Sequence, residues 1–262
     1  MRNKVVCVVT AFSLMACTGE PESEPIEPDY TAEQYAFAIS DIARMDDVER
    51  DAERLPGELL AFAQIDHGDV VGDFAMGDGY VTRLLAMAVG GDGRVYGYQP
   101  DEHIAADADL ARQQAETMRR YSDEFAEPIN VFPVRGPLTA PDWQEPLDTI
   151  IAVDALHRLW SPYLPDDTAP DAIAALFAAL EPGGSLVVLD RLAADGGGVE
   201  AAQSLGRMDR ELALDALTEA GFALEEESTV WERTDDTLGG EASDASEDDP
   251  ASRFAWRLRK HG

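Results

Sequence analysis

Short apolar runs alternate along the chain with glycine turns and with stretches of helical spacing. Residues 70–74 form one such run, suited to a buried strand, and Gly77 and Gly79 after it allow a tight turn and a close approach of the backbone to a ligand. Apolar residues then recur at helical spacing at Val81, Leu84, Leu85 and Ala88. A strand, a glycine turn and a helix predict the opening unit of an open α/β sheet, in which ligands bind beyond the carboxyl ends of the strands.

Later runs predict six more strands: 94–98, 129–134, 147–153, 185–190, 222–231 and 253–259. The segments between them predict helices: 107–121, 170–180 and 208–220, with a glycine loop at 196–198. Pro133 indicates that the third strand lies at an edge of the sheet. The last run alternates apolar residues with arginine, which predicts a strand with one wet face. Strands that alternate with helices predict an α/β protein with a mostly parallel sheet.

The turn after the first strand carries a family resemblance. Residues 73–79, Asp-Phe-Ala-Met-Gly-Asp-Gly, resemble the Asp/Glu-x-Gly-x-Gly-x-Gly loop of class I S-adenosylmethionine-dependent methyltransferases, with Ala75 in place of the first glycine. Leu-x-Pro-Gly-Gly at 180–184, directly before a strand, is a frequent feature of the same family. The resemblance covers about 56–260. It implies a Rossmann-like, seven-stranded, mostly parallel sheet with a reversed last strand, helices on both faces, and the strand order third, second, first, fourth, fifth, seventh, sixth.

The resemblance also implies S-adenosylmethionine as the cofactor. The residues that it implies for cofactor binding are Asp73, Ala75, Gly77, Asp78, Gly79 and Gln99. The backbone of 77–79 would hold the cofactor's amino-acid end, and Asp73 would orient that loop or bond the ammonium group through water. Gln99 stands where the family carries the acid that bonds both ribose hydroxyls, and Asp101 either takes that role or caps a helix.

In the family, the loop after the fourth strand lies over the methyl group, so its polar residues are the catalytic candidates. Here those residues are Asp154 and His157. A histidine can act as a general base near neutral pH, and the alternative for His157 is a capping or packing role. The resemblance leaves the methyl acceptor open beyond a small molecule.

The chain is strongly acidic. It has 52 aspartates and glutamates against 20 lysines and arginines, which gives a formal net charge of -32. A phosphate backbone would be repelled by such a surface, so the composition argues against a nucleic-acid partner. We interpret the charge as an adaptation for solubility.

The first residues have the order of a targeting signal. Arg2 and Lys4 precede the apolar run 5–16, which is too short to span a bilayer as a helix. The run ends in Leu-Met-Ala before Cys17, which resembles the lipobox of bacterial lipoproteins. The resemblance implies lipidation at Cys17 and a membrane-anchored protein that faces the periplasm and touches the membrane through its lipid only. The alternatives are an ordinary secretory signal or a cysteine that stands at this position by accident. Cys7 is the other cysteine and lies inside the signal, so no thiolate metal site is expected.

These patterns divide the chain into four parts. Residues 1–17 are predicted to be a lipoprotein-type signal peptide and 18–30 a disordered acidic tether. Residues 31–55 predict an N-terminal helical extension with one helix over 32–53, whose start has a capping-box spacing at Thr31 and Gln34. Residues 56–262 predict the methyltransferase-like domain, within which 234–252 predict a mobile acidic excursion.

Two functions of different classes remain open. The first is methyl transfer from S-adenosylmethionine to a small molecule, in a chain that more narrowly resembles the exported, predicted methyltransferases of proteobacteria. The second is a non-catalytic lipoprotein that uses the fold as a binding or scaffold module. Three facts favour the second function. Ala75 and Gln99 depart from the family pattern, and the cofactor is made in the cytoplasm whereas this chain is expected to be exported.

Overall fold

The computed structural model describes residues 30–122, 130–242 and 251–261, and its centre is one seven-stranded sheet. The strands are β1 Val70–Phe74, β2 Arg94–Tyr98, β3 Val131–Val134, β4 Leu147–Val153, β5 Leu180–Arg191, β6 Phe222–Ser228 and β7 Arg253–Lys260. Their order is β3-β2-β1-β4-β5-β7-β6, and β7 runs antiparallel to both of its neighbours. The predicted fold class, strand order and reversed last strand are confirmed, and β3 with its Pro133 is an edge strand.

Helices cover both faces of the sheet. They are α1 Ala36–Ile39, α2 Val48–Arg54, α3 Pro56–Ala63, α4 Tyr80–Ala88, α5 Asp101–Ala106, α6 Asp109–Ser122, α7 Thr168–Ala179, α8 Gly198–Leu205 and α9 Arg210–Glu219. One core cluster contains Ile150 of β4 and Leu176 of α7, and the other contains Val71 of β1 and Leu84 of α4. Because the central strands are buried on both faces, their sequences are mostly apolar and do not alternate between apolar and polar residues.

The prediction of one helix over 32–53 in the N-terminal extension is wrong. Short 3₁₀ turns at Ala32–Tyr35 and Ile42–Arg44 alternate there with α1 and α2. The Asp41 carboxylate accepts a hydrogen bond from the Ala43 amide and so starts a new turn after α1 has ended. The capping box of Thr31 and Gln34 is present at the start of the segment, as predicted.

Three boundaries and one additional helix also differ from the sequence expectation. Gly198 begins α8, where a glycine loop was expected, and α5 was not predicted as a separate helix. The Asp209 carboxylate accepts from two backbone amides and caps α9, which therefore begins at Arg210 and not at Met208. Residues 181–184 were expected to be a break between α7 and a strand that begins at Ser185, but they belong to β5, which begins at Leu180.

The prediction of a wet face on β7 is wrong. This strand lies between β5 and β6 and is buried on both faces over most of its length. Its arginines are paired with carboxylates: Arg257 contacts Glu225 at 2.8 Å and Glu226 at 2.6 Å. The alternating pattern therefore reflects paired cations in a covered strand.

Parts of the predicted organisation lie outside the described residues. These are the signal at 1–17 with Cys17, nearly all of the tether, and 243–250 of the excursion. Within the described part of the excursion, Asp236 pairs with Arg207 at 2.8 Å and accepts from the Ser252 amide at 2.7 Å. In the described ranges, every helix is too short or too polar to cross a membrane.

A buried ion pair fastens the N-terminal extension to the sheet. Asp47 lies just before α2, and its two oxygens accept from Nε and Nη2 of Arg83 on α4 at 2.7 and 2.6 Å. Both side chains are almost completely buried. The same guanidinium donates to the Asp78 carbonyl at 2.7 Å, so it joins the extension, α4 and the turn after β1.

We expect Asp47→Asn to lower the free energy of unfolding by about 3 kcal/mol, because it leaves a buried guanidinium without its counter-charge. Urea denaturation of the full chain measures the change. Asp109→Asn is the matched control, because Asp109 pairs with Arg112 on an exposed helix surface and should leave the midpoint in place. Equal midpoints for Asp47→Asn and the parent would contradict a stabilising role of the buried pair.

Candidate functional site

The sheet has its switch point between β1 and β4. The helix after β1, α4, packs on one face of the sheet, where Leu84 belongs to the hydrophobic core. The 3₁₀ turn Leu156–Trp160 after β4 packs on the opposite face. Connections that diverge in this way leave a crevice at the carboxyl ends of the two strands, where ligands bind in open α/β sheets.

Both strands end at this crevice in a strained residue. Ala75 follows β1 with φ 56°, and Asp154 follows β4 with φ 50°. Each costs about 1 kcal/mol, because a side chain crowds the backbone in the left-handed region. Strain of this kind persists where the surroundings fix the backbone, and it is common at functional sites.

The turn after β1 is open at one glycine and closed at the other. Gly77 has φ 56°, and a Cβ added there would have no non-adjacent atom nearer than the Ala75 carbonyl oxygen at 4.0 Å. Gly79 has φ 81°, but a Cβ there would lie 2.6 Å from Cγ2 of Thr117 on α6. A ligand can therefore approach the turn at Gly77, whereas the space over Gly79 is filled by the protein.

The two aspartates of the turn are held inside the protein. Asp73 is buried and accepts a hydrogen bond from Oγ1 of Thr82 on α4 at 2.5 Å. Burial raises the pKa of Asp73 to about 7, although the bond from Thr82 opposes the shift. Burial alone would also raise the pKa of Asp78, but the ion pair with Arg50 of α2 lowers the pKa of this carboxyl below its usual value. Asp73 thus joins β1 to α4, and Asp78 joins the turn to the N-terminal extension.

Gln99 lies at the carboxyl end of β2 and contacts the turn. Its side-chain oxygen accepts from the Gly77 amide at 3.1 Å, and the residue is almost completely buried. Asp101 is exposed as the first residue of α5, and Pro100 holds the cap position, so the interpretation of Asp101 as N-cap is off by one residue. The structure brings Gln99 to the glycine turn and leaves Asp101 on the surface.

Asp154 is fixed by arginines. Its carboxylate accepts from Nε and Nη2 of Arg253 at 2.8 and 3.0 Å, and Nε of Arg191 lies 3.5 Å away. Burial alone would raise the pKa of Asp154, but Arg253 and then Arg191 hold it well below its usual value. Asp154 is therefore an ionised anchor for Arg253.

His157 forms a buried pair that was not predicted. Its Nδ1 lies 2.7 Å from Oδ1 of Asp190, the next-to-last residue of β5, and its amide donates to Oδ2 of the same side chain at 2.8 Å. The Asp190 carboxylate also accepts from the Arg191 amide at 2.7 Å. A strand that ends in aspartate was the only signal for this partner in the sequence.

A small depression next to the glycine turn, which we call the switch-point crevice, contains Asp154 but not His157. Its lining includes Arg54, Leu59, Tyr80, Asp154, Trp231 and Arg253. Arg54 and Tyr80 come from α2 and α4, and Arg253 comes from the start of β7. The sequence did not indicate Arg54, because this residue follows the predicted helix over 32–53 and reaches the crevice only through the packing of α2 in the fold.

Comparison with known proteins supports the fold. No protein-family model and no curated protein sequence matches the chain. Among solved structures, a SAM-dependent methyltransferase from Aquifex aeolicus is similar over 85% of this chain and 98% of its own, with 16% identity and a TM-score of 0.56. The N-methyltransferase NodS from Bradyrhizobium japonicum, in complex with S-adenosyl-L-homocysteine, is similar over 88% of this chain and 99% of its own, with 17% identity and a TM-score of 0.52. At such identities the likeness establishes that the chain has the fold of these methyltransferases.

Asp73→Asn should remove a pH dependence of stability. The pKa of an aspartate is about 4 in an unfolded chain and about 7 at this site. The stability that Asp73 contributes is therefore complete below pH 4 and is lost as the pH rises to 7. Relative to Asp73→Asn, whose amide oxygen can still accept from Thr82, we expect the parent to lose about 1.4 kcal/mol per pH unit in this window. Urea denaturation from pH 4 to 8 measures this, and a constant difference between the two proteins would contradict it.

Proposed function

We propose that this chain transfers the methyl group of S-adenosylmethionine to a small molecule at the switch point of its sheet. The observation that carries the proposal is the turn Ala75–Gly79 at the carboxyl end of the central strand, which begins with the strained Ala75 and is open at Gly77. Backbone strain is maintained there, at the place where open α/β sheets bind ligands.

The residues present fit the amino-acid end of this cofactor. The space over Gly77 is a cradle that a Cβ would fill, and the backbone of Gly77 and Asp78 would hold the ligand there. Gln99 is the residue at the ribose position, and its oxygen would leave the Gly77 amide to bond a hydroxyl group. A neutral amide makes a weaker bond than the carboxylate that the family uses, so we expect binding in the range of tens to hundreds of micromolar.

The chemistry that the cofactor supplies is a methyl group made electrophilic by a sulfonium sulfur. The protein's part is to hold the acceptor in line and to exclude water. Asp154 and Arg253 would form a fixed wall of the acceptor site, because each is held by the other through two hydrogen bonds. His157 remains a candidate base, held in orientation by Asp190.

We also propose that the protein is a lipoprotein that faces the periplasm, anchored through Cys17. The support is the order of charge, apolar run and small residue before Cys17, together with the acidic tether after it. An exported enzyme would need its cofactor outside the cytoplasm.

The scaffold function is the second candidate, and two contacts favour it. Thr117 fills the space over Gly79, and Gln99 occupies the Gly77 amide. A protein that never binds the cofactor would keep both contacts permanently.

Gly77→Ala should remove binding of S-adenosylhomocysteine, the demethylated product, because the new Cβ occupies the cradle. Isothermal titration calorimetry of the full chain measures the loss, which we expect to be at least tenfold in Kd. Gly68→Ala is the matched control: Gly68 has φ 95°, a Cβ added there would meet nothing within 4 Å, and the residue lies before β1, at the opposite end of that strand. Both variants carry backbone strain of about 1 kcal/mol, but only Gly77→Ala changes the cradle.

Two results would count against the proposal. If the parent shows no heat at millimolar ligand, the scaffold function takes the place of methyl transfer. If Gly77→Ala binds as tightly as the parent and as Gly68→Ala, the ligand does not use this turn.

A further inference from the structure

The switch-point crevice combines aromatic and apolar walls with guanidinium groups. Tyr80, Trp231 and Leu59 contribute the walls, and Arg54 and Arg253 contribute the positive charge. The empty space is about 300 Å³ with its open mouth included, and the enclosed part is about the size of one water molecule. A lining of this kind suits a ligand with an anionic group and an apolar body.

The guanidinium groups of Arg54 and Arg253 differ in how many hydrogen bonds they already donate to the protein. Arg253 donates to Asp154 and, through Nη1, to Glu53 at 3.1 Å. Within the described ranges, the guanidinium of Arg54 makes no hydrogen bond or ion pair, and its contact is with the face of the Tyr80 ring, 4.8 Å from the centroid. Burial and then Arg50 lower the pKa of Arg54, while Asp154 opposes them in part. Arg54 therefore offers planar, paired N–H donors to a ligand.

The charge of the crevice contrasts with that of the whole chain. The formal net charge is -32, so most of the surface repels anions. Among the residues that the structure describes, the guanidiniums around the crevice outnumber the carboxylates by five to four: they are Arg44, Arg50, Arg54, Arg191 and Arg253, against Asp51, Asp78, Asp154 and Glu53. The local balance is positive, and a positive site in a low-dielectric cleft attracts a small anion.

The crevice also lacks a group suited to take a proton. Among its described lining residues, Tyr80 and Asp154 are the ones with an acidic side chain. Burial, and then the hydrogen bond to Asp51, raise the pKa of Tyr80 above its usual value, so it keeps its own proton. Asp154 stays ionised and is committed to Arg253. An acceptor that binds here should therefore be one that needs no general base.

We propose that the switch-point crevice binds the carboxylate of a small acid with an apolar body, through Arg54, and that this acid is the methyl acceptor. The assignment of the acid as acceptor rests on the proposed function, whereas its binding does not. When a carboxylate oxygen attacks the methyl carbon of a sulfonium donor, one C–O bond forms as one C–S bond breaks. The bonding pair returns to sulfur, the products are a methyl ester and a thioether, and no proton has to be removed.

Entry of the acid requires a movement of Arg54, because the enclosed part of the crevice is small. No hydrogen bond from the Arg54 guanidinium to a described residue has to be broken for this movement, and its contact with Tyr80 is a ring-face contact that a rotamer change can replace. Trp231 lies in the wall, with its Nε1 donating to the Arg54 carbonyl at 3.1 Å, so its fluorescence should report occupancy.

The experiment is a titration of the full chain with benzoate and, in a second arm, with benzamide, which has the same shape without the charge. Calorimetry and tryptophan fluorescence follow binding. We expect benzoate to bind with a Kd on the order of 1 mM, at least tenfold tighter than benzamide. Arg54→Gln should weaken benzoate binding at least tenfold, and Arg112→Gln on the exposed surface of α6 should not change it. Equal binding of the two probes, or unchanged binding in Arg54→Gln at an unchanged melting temperature, would overturn the site.

A third arm separates the acceptor from the cofactor's own carboxylate. Benzoate is titrated in the presence of saturating S-adenosylhomocysteine. Independent binding supports the acceptor site, and competition overturns it in favour of a subsite for the amino-acid end of the cofactor. If S-adenosylhomocysteine does not bind at all while benzoate still does, the proposed function and the acceptor assignment fail, and the carboxylate site stands.

Discussion

The ion pair between Asp154 and Arg253 is the interaction on which the site depends. It joins the end of β4 to the start of β7 across 99 residues of sequence, and the same guanidinium reaches Glu53 in α2. Asp154 holds this position in a left-handed backbone conformation, at a cost of about 1 kcal/mol. Removal of either partner would leave a mostly buried charge with its second partner only, Glu53 at 3.1 Å for Arg253 or Arg191 at 3.5 Å for Asp154, a loss of about 3 kcal/mol. The crevice wall, the last strand and the N-terminal extension are thus held together at one point.

The geometry of the turn after β1 follows from similar contacts. Arg83 connects Asp47 with the Asp78 carbonyl, and Arg50 pairs with the Asp78 carboxylate. The extension is therefore part of the site and not an appendage in front of it. Because these contacts fix the turn from one side and Gln99 fixes it from the other, Gly77 keeps its open face in a turn that is otherwise enclosed. This arrangement suits positional catalysis, in which the protein supplies orientation and exclusion of water.

The strand order and the reversed β7 could be predicted from the family resemblance that the glycine turn carries, and the edge position of β3 could be predicted from Pro133, which is a local signal. The breaks in the N-terminal extension could not, because they depend on Asp41 and on the distant Arg83. Asp190 and Arg54 were missed for the same reason: their roles come from partners that only the folded chain brings close. The candidates Asp73 and Gln99 lie at the predicted edge of the sheet, but their hydrogen bonds to Thr82 and Gly77 have no pattern in the sequence.

The central claim is that the turn at Gly77 and the crevice beside it form a ligand site. A crystal structure of the full chain with S-adenosylhomocysteine tests it most directly. The account predicts ligand density against the open face of Gly77, between the carboxyl ends of β1 and β4, with the side-chain oxygen of Gln99 released from the Gly77 amide. A structure at saturating ligand with the Gln99–Gly77 bond intact and the space over Gly77 empty would contradict it.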